Sequence, residues 1–187
     1  MKLLSSFLGI CLVFLVGCIS SPTAQIPSKQ TSSPTSSNVS SQEIKLDETL
    51  KIAIGQTIYV PIYSEIYYFN KSRTFQLAAT LSVRNTDPKN PIIITSVNYY
   101  NSDGKLVEQH LESPLRLNPL ASTDFVVTED DRTGGSGANF LVEWIAETEV
   151  YEPIVEAVMV SSASQQGISF ISHGRVIESK SATVPTP

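Results

Sequence analysis

Arg73-Thr74-Phe75-Gln76-Leu77-Ala78-Ala79-Thr80-Leu81-Ser82-Val83 decides the fold class. Its large apolar side chains fall on odd numbers, from Phe75 to Val83, and the polar ones fall between them. A period of two turns one set of side chains toward a core and the other toward water, which is how a half-buried β-strand is written. Asn85-Thr86-Asp87-Pro88 ends the pattern with turn-forming residues.

Working outward, Ile52 to Ile62 reads as an earlier strand, and Pro61 places its end at an edge or a bend. Downstream, Ile92 to Tyr100 is rich in β-branched and aromatic residues. Asn101-Ser102-Asp103-Gly104 is a turn from which Leu106 to Leu111 returns, so the unit predicts a hairpin. Phe125 to Val127, Phe140 to Ala146, Ile154 to Ser161 and Ile168 to Ile177 supply further strands. No helical stripe of 12 or more residues is present; the spacing of Tyr59, Tyr63 and Tyr67 hints at one, but Pro61 and the β-branched neighbours oppose it. Seven or eight short strands at this spacing predict an all-β, single antiparallel β-sandwich, with immunoglobulin-like topology expected and a closed barrel as the alternative. The Cys-Trp-Cys signature of true immunoglobulin domains is absent. The domain is expected over residues 43–178, with a disordered tail over 179–187.

The N-terminus reads as an address. Lys2 is followed by an apolar run of 14 residues, Leu3 to Val16. A membrane-spanning helix needs about 20, so the run suits a signal-peptide core. It ends in Leu15-Val16-Gly17-Cys18. That sequence resembles the bacterial lipobox. The resemblance implies cleavage after residue 17, a diacylglycerol thioether on Cys18 and an amide-linked acyl chain such as palmitate. Each buried methylene contributes about 0.8 kcal/mol, so two or more chains anchor stably. Ile19 follows the cysteine; by resemblance to enterobacterial sorting this permits delivery to the outer membrane, and inner against outer membrane stays open. Residues 18–42 form the lipidated cysteine and a Ser/Thr/Pro-rich tether: these three residue types fill 15 of the 24 positions from Ile19 to Gln42. No apolar period survives there to repay ordering. The triplets Asn38-Val39-Ser40 and Asn70-Lys71-Ser72 match the glycosylation acceptor but are read as chance in a bacterial chain.

Charge and cysteine use exclude several functions. The formal net charge is -5, which argues against nucleic-acid binding and against electrostatic docking on anionic lipids. Both cysteines, Cys11 and Cys18, lie in the first 18 residues, so the body has no disulfide, thiolate metal site or cysteine nucleophile.

Tyr59-Val60-Pro61-Ile62-Tyr63-Ser64, Leu81-Ser82-Val83-Arg84-Asn85-Thr86-Asp87, Gly134-Gly135-Ser136-Gly137-Ala138-Asn139-Phe140 and Gly167-Ile168-Ser169-Phe170 resemble the bacterial domain-of-unknown-function family 3124. The resemblance implies an envelope lipoprotein, covers most of the chain after the leader, and brings no activity and no functional residues.

Candidate chemistry is sparse. Gly134-Gly135-Ser136-Gly137-Ala138 falls one residue short of a G-x-S-x-G elbow, and a strand rather than a helix is expected after it, so a glycine-rich connection is preferred. No Gly-Lys-Ser/Thr follows to make a phosphate loop. His110 and His173 are each expected at the surface. Met159, the one methionine beyond the leader, excludes a methionine-rich copper site. Glu129, Asp130, Asp131 and Asn139 form the best oxygen-ligand set for calcium, against a plain acidic loop paired with Arg132. Glu143 with Asp130 or Asp131 is the carboxylate pair a hydrolase could use. No cofactor is expected.

Aromatic residues are the most suggestive feature. Tyr59, Tyr63, Tyr67, Tyr68, Tyr99, Tyr100 and Trp144 are binding candidates, because tyrosine joins a broad apolar ring to a hydroxyl; tyrosine is also an ordinary strand residue, and the core-and-strand reading is preferred over a binding face. Strand neighbours point oppositely, so only one of Tyr99 and Tyr100 can enter the core. The leading expectation is a lipid-anchored, non-catalytic binding or assembly module facing the periplasm, held to the membrane by its lipid and engaging an envelope protein or glycan. The alternatives are a hydrolase of an envelope polymer and a calcium-stabilised domain.

Overall fold

The computed structural model describes residues 41–45, 50–162 and 167–181. The leader, Cys18 and most of the tether lie outside them. In chain order the strands are β1 (Ser41–Glu43), β2 (Ile54–Pro61), β3 (Glu65–Tyr67), β4 (Thr74–Gln76), β5 (Ala78–Arg84), β6 (Ile92–Tyr100) and β7 (Leu106–Gln109). They continue with β8 (Leu115–Leu117), β9 (Ser122–Val127), β10 (Asn139–Ala146), β11 (Ile154–Ser161), β12 (Ile168–His173) and β13 (Arg175–Ser181). No helix forms among the described residues.

One sheet runs β1-β8-β6-β10-β2-β13, with β7 also on β6. The second runs β12-β11-β5-β9, and β3 pairs β4 as a separate hairpin. Every pairing is antiparallel. Neither sheet closes on itself, so the architecture is a sandwich and not the alternative barrel. The core lies between the sheets: Ile58, Val60, Val97, Phe140, Val142 and Trp144 from one meet Leu81, Val83, Val155, Ala157 and Met159 from the other. A buried side chain of this size contributes about 1.5–3 kcal/mol relative to exposure.

Three features depart from the alternating pattern. The stretch from Arg73 to Val83 forms two strands because its partner changes at Leu77: the Leu77 N–H still donates to Ser64 O (2.9 Å) in register with β3, while from Ala78 the chain pairs β11. In β6 the pairing jumps from Ser96↔Glu143 to Ile94↔Trp144, so Thr95 is an extra residue; its hydroxyl donates to Glu143 O at 3.2 Å. This bulge reverses parity, so Ile92 and Ile94 face inward on one side of it and Val97 and Tyr99 on the other. Ile168 to Ile177 also divides: β12 pairs β11 in the small sheet, and β13 pairs β2 in the large one. Gly174 is the corner, with its N–H donating to Val155 O at 2.9 Å.

The boundaries differ from expectation by a few residues. Ser41 and Gln42, assigned to the tether, pair with Leu117 and Arg116. Ser179, Lys180 and Ser181, assigned to the tail, pair with β2. Backbone ladder bonds order these polar residues without any apolar pattern.

Register also orients the ends. Ser41 pairs Leu117, which pairs Ile92, while Ser181 and Ala146 pair Ile54. Both ends of the described domain therefore lie at one rim of the large sheet. Pro61, Asn139 and Tyr100 share the opposite rim, and the β3–β4 hairpin follows Pro61 there. The seven residue steps from Ile54 to Pro61 span about 23 Å.

Candidate functional site

The far rim carries the strongest candidate. The β3–β4 hairpin turns on Asn70, whose Oδ1 accepts the Ser72 N–H at 3.0 Å and whose carbonyl accepts the Arg73 N–H at 3.1 Å. Such a side-chain turn is why asparagine suits a hairpin tip. On it Tyr67, Tyr68 and Phe69 are exposed, Phe69 by 82 %. The Tyr68 ring stacks on Phe75 with centroids 4.2 Å apart, and the Arg73 guanidinium lies 5.7 Å from the Phe69 ring centre. Tyr63, at the hairpin base, meets Phe170 edge-on at 5.8 Å. Burying one such ring on a partner is a large contribution, and exposed aromatic patches mark interaction surfaces.

The hairpin stands on a rigid base. Buried Ser64 donates both N–H and Oγ–H to Gly135 O, each at 3.1 Å, and the Ile62 N–H donates to Ala138 O at 2.9 Å. Ser102 fixes the same glycine-rich loop from the other side: its Oγ donates to Gly134 O and accepts the Gly137 N–H, both at 2.9 Å. Gly135, at φ 77°, occupies the left-handed region that favours glycine. Gly134 to Ala138 is thus a strand connection running straight into β10, without the helix a nucleophile elbow requires.

A groove of about 490 Å³ runs between β4 and the connection from β9 to β10, lined by Thr74, Phe75, Gln76, Glu129, Asp130 and Arg132. A second groove, of about 430 Å³, lies between Asp87–Asn90 and Glu149–Tyr151. Of its two carboxylates, Asp87 is spent on the fold: Asp87 Oδ1 accepts the N–H groups of Lys89 and Asn90 at 2.8 Å, and Oδ2 accepts that of Tyr151 at 3.3 Å. Those bonds hold the Asp87 carboxyl below its ordinary value of 3.8.

The aromatic candidates separate. Tyr63, Tyr67 and Tyr68 gather at the hairpin. Tyr59 and Tyr100 are half-buried, on strands of the large sheet. Tyr99 and Trp144 are fully buried and present no binding face, which corrects their candidacy: Tyr99 has the inward parity of Val97, and Trp144 that of Phe140 and Val142. Burial, then the charge of nearby Asp131, raises the Tyr99 phenol above 10. Two aromatic residues outside the candidate set are exposed: Phe69 at the hairpin tip and Tyr151 beside the second groove.

The acidic residues do not converge. Glu129 Oε1 accepts from Ser161 Oγ at 3.2 Å, Asp130 bonds Thr128, and Asp131 Oδ1 accepts the Thr133 N–H at 2.7 Å. The hydroxyl of Thr128 lowers the Asp130 carboxyl from 3.8. Asn139 opens β10 and is buried. Among the described residues, no three of His, Cys, Asp and Glu are grouped to hold a metal ion. Glu143 sits mid-strand with Lys180 Nζ at 3.4 Å. His173 is exposed, 3.3 Å from Glu156. His110, expected at the surface, is half-buried, its side chain 9 % exposed: its ring lies against Phe125 of β9 (5.7 Å) and Phe140 of β10 (5.5 Å).

A family described as "Protein of unknown function (DUF3124)" matches residues 55–177, from β2 into β13. Comparison with curated proteins and with solved structures returns no match.

Proposed function

We propose, from the premise that this chain belongs to the DUF3124 family of proteins of unknown function, that it is a lipid-anchored, non-catalytic binding or assembly module of the cell envelope. The β3–β4 hairpin is the end that meets the partner, an envelope protein or glycan. One observation carries the reading: Tyr67, Tyr68 and Phe69 are exposed on one hairpin at the rim opposite Ser41 and Ser181. A domain tethered through its N-terminal side would hold that rim outward. Lipid on Cys18, residence on the periplasm-facing side and a tether ahead of the domain belong to the same proposal and rest on the lipobox sequence.

The test has two arms. Mass spectrometry of the N-terminal peptide from the native chain should find Cys18 at the new N-terminus, acylated; an unacylated chain starting at Met1 would remove the anchor. Affinity capture from detergent-extracted envelopes should recover a partner with the wild-type chain and lose most of it with Tyr68→Ser/Phe69→Ser. Equal recovery by both chains, or no partner across several detergents, would remove the binding reading.

A further inference from the structure

We propose that the groove beside β4 receives an extended, basic peptide segment of a partner protein, which joins the hairpin as its third strand. The inference rests on the reading above that this rim faces the partner. The Tyr68 N–H donates to Arg73 O at 3.2 Å, and the Leu77 N–H donates to Ser64 O at 2.9 Å. Those two pairs bracket Glu65↔Gln76, Ile66↔Phe75 and Tyr67↔Thr74. Antiparallel ladders alternate hydrogen-bonded and non-bonded pairs, so the intervening ladder bonds fall on Ile66 and Phe75. The N–H and C=O groups of Thr74 and Gln76 therefore turn away from β3. No other strand among the described residues pairs with β4.

The groove lies on that unpaired side: all three β4 residues line it and none from β3 does. Gln76 adds a second sign. Its Nε2 is engaged by Glu65 Oε2 (3.2 Å) and Thr74 Oγ1 (3.4 Å), while its Oε1 is buried with no hydrogen-bond partner. A two-stranded hairpin is marginal alone, and a third strand completes it. An added strand draws affinity from main-chain bonds and specificity from alternate side chains. Here the facing wall offers the carboxylates of Glu129 and Asp130 against one cation, Arg132, so a lysine or arginine on the incoming strand is favoured over an acid. The exposed flank of the Tyr68–Phe75 stack suits an apolar neighbour on the same strand.

Thr74→Pro tests this directly, because proline deletes an N–H that the β3 ladder does not use. Dodecapeptides selected from a random display library on the wild-type full chain should be basic and rich in β-branched residues. They should bind Thr74→Pro at least tenfold more weakly. On binding, hydrogen exchange at Thr74 and Gln76 should slow at least tenfold, and N-methylating the peptide backbone should abolish this even if Thr74→Pro folds poorly. Glu129→Gln/Asp130→Asn should erase the basic preference. No enrichment on the wild-type chain over Thr74→Pro, unchanged exchange at residues 74–76, or cell-wall oligosaccharides competing for the groove would overturn the inference. Envelope capture lost with Tyr68→Ser/Phe69→Ser yet unchanged with Thr74→Pro would overturn the added strand and leave the aromatic binding end standing.

Discussion

The hydroxyl of Tyr99 lies directly against Gly134, where a β-carbon would overlap it and also stand 2.9 Å from Tyr99 Cζ and 2.8 Å from Ser64 Oγ. The core tyrosine of β6 and the loop under the hairpin thus share one space. Gly134→Ala should destabilise by about 1–3 kcal/mol, the usual effect of overpacking. Adding Tyr99→Phe, which removes the overlapping atom, should recover part of that loss. Urea unfolding of the two single variants and the double variant checks the coupling; strict additivity would show that the loop relaxes independently.

At the opposite rim, Asn85 Nδ2 donates to the carbonyls of Asn90 (2.9 Å), Leu117 (3.2 Å) and Asn118 (3.0 Å), and its Oδ1 accepts the Asp87 N–H at 3.0 Å. Asn85→Ala strands those buried groups and should lose about 1–3 kcal/mol. Asn85→Asp should lose more at neutral pH, because a carboxylate offers acceptors where donors are needed. Thermal unfolding of both variants decides the order.

Asp87 makes the stability of that corner depend on pH. Its carboxyl is lowered from 3.8 by the Lys89 and Asn90 N–H bonds first, so the folded chain holds its proton less tightly than the unfolded chain. The contribution is therefore complete above the ordinary carboxylate range and lost as pH falls below 3.8 through the folded value. Asp87→Asn should lower the urea midpoint at pH 6, and its deficit should shrink toward pH 2. A deficit constant with pH would assign the role to shape rather than charge.

Gly174 joins the two sheets through close contact. A β-carbon there would stand 2.6 Å from Ile58 Cγ2 and 2.8 Å from Val155 O. The methyl can rotate aside more readily than the backbone carbonyl can, so Gly174→Ala should destabilise by about 1–3 kcal/mol. Amide exchange should quicken in both β12 and β13, since one corner positions each of them. Faster exchange in only one strand would place the corner's role in a single sheet.

The sandwich was legible because side-chain alternation reports burial directly, and β6 and β11 keep their expected limits. Alternation does not say which sheet a residue joins, so the change of sheet at Gly174 and the break at Leu77 both pass through an extended, apolar-patterned backbone unmarked. Strands of three residues such as β1 and β8 are too short to show a period. At the candidate site, tyrosine identity pointed to the hairpin, but ring chemistry alone could not separate Tyr68 from Tyr99. Parity could: Tyr99 aligns with Val97 beyond the bulge, and Trp144 with Val142. Phe69 falls between the expected strands, and only the Asn70 turn shows why it stands exposed at a hairpin tip.

His110 gives the last expectation. Burial between Phe125 and Phe140 lowers its proton affinity below the ordinary 6.5, and the Glu108 carboxylate, 3.5 Å from Nδ1, opposes this only in part. The unfolded chain then binds the proton more readily, so stability is complete above 6.5 and is lost as pH falls from there toward the folded value. His110→Phe keeps a flat ring in the gap and cannot titrate. Urea midpoints of wild type and variant, compared from pH 7.5 to pH 5, should diverge on acidification, with the wild type losing more. Hydrogen exchange at Glu108 and Gln109 should quicken over the same range in the wild type only, because the imidazolium would be expelled with the end of β7. Parallel midpoints across that range would show that the ring finds water or a counter-charge without leaving its place.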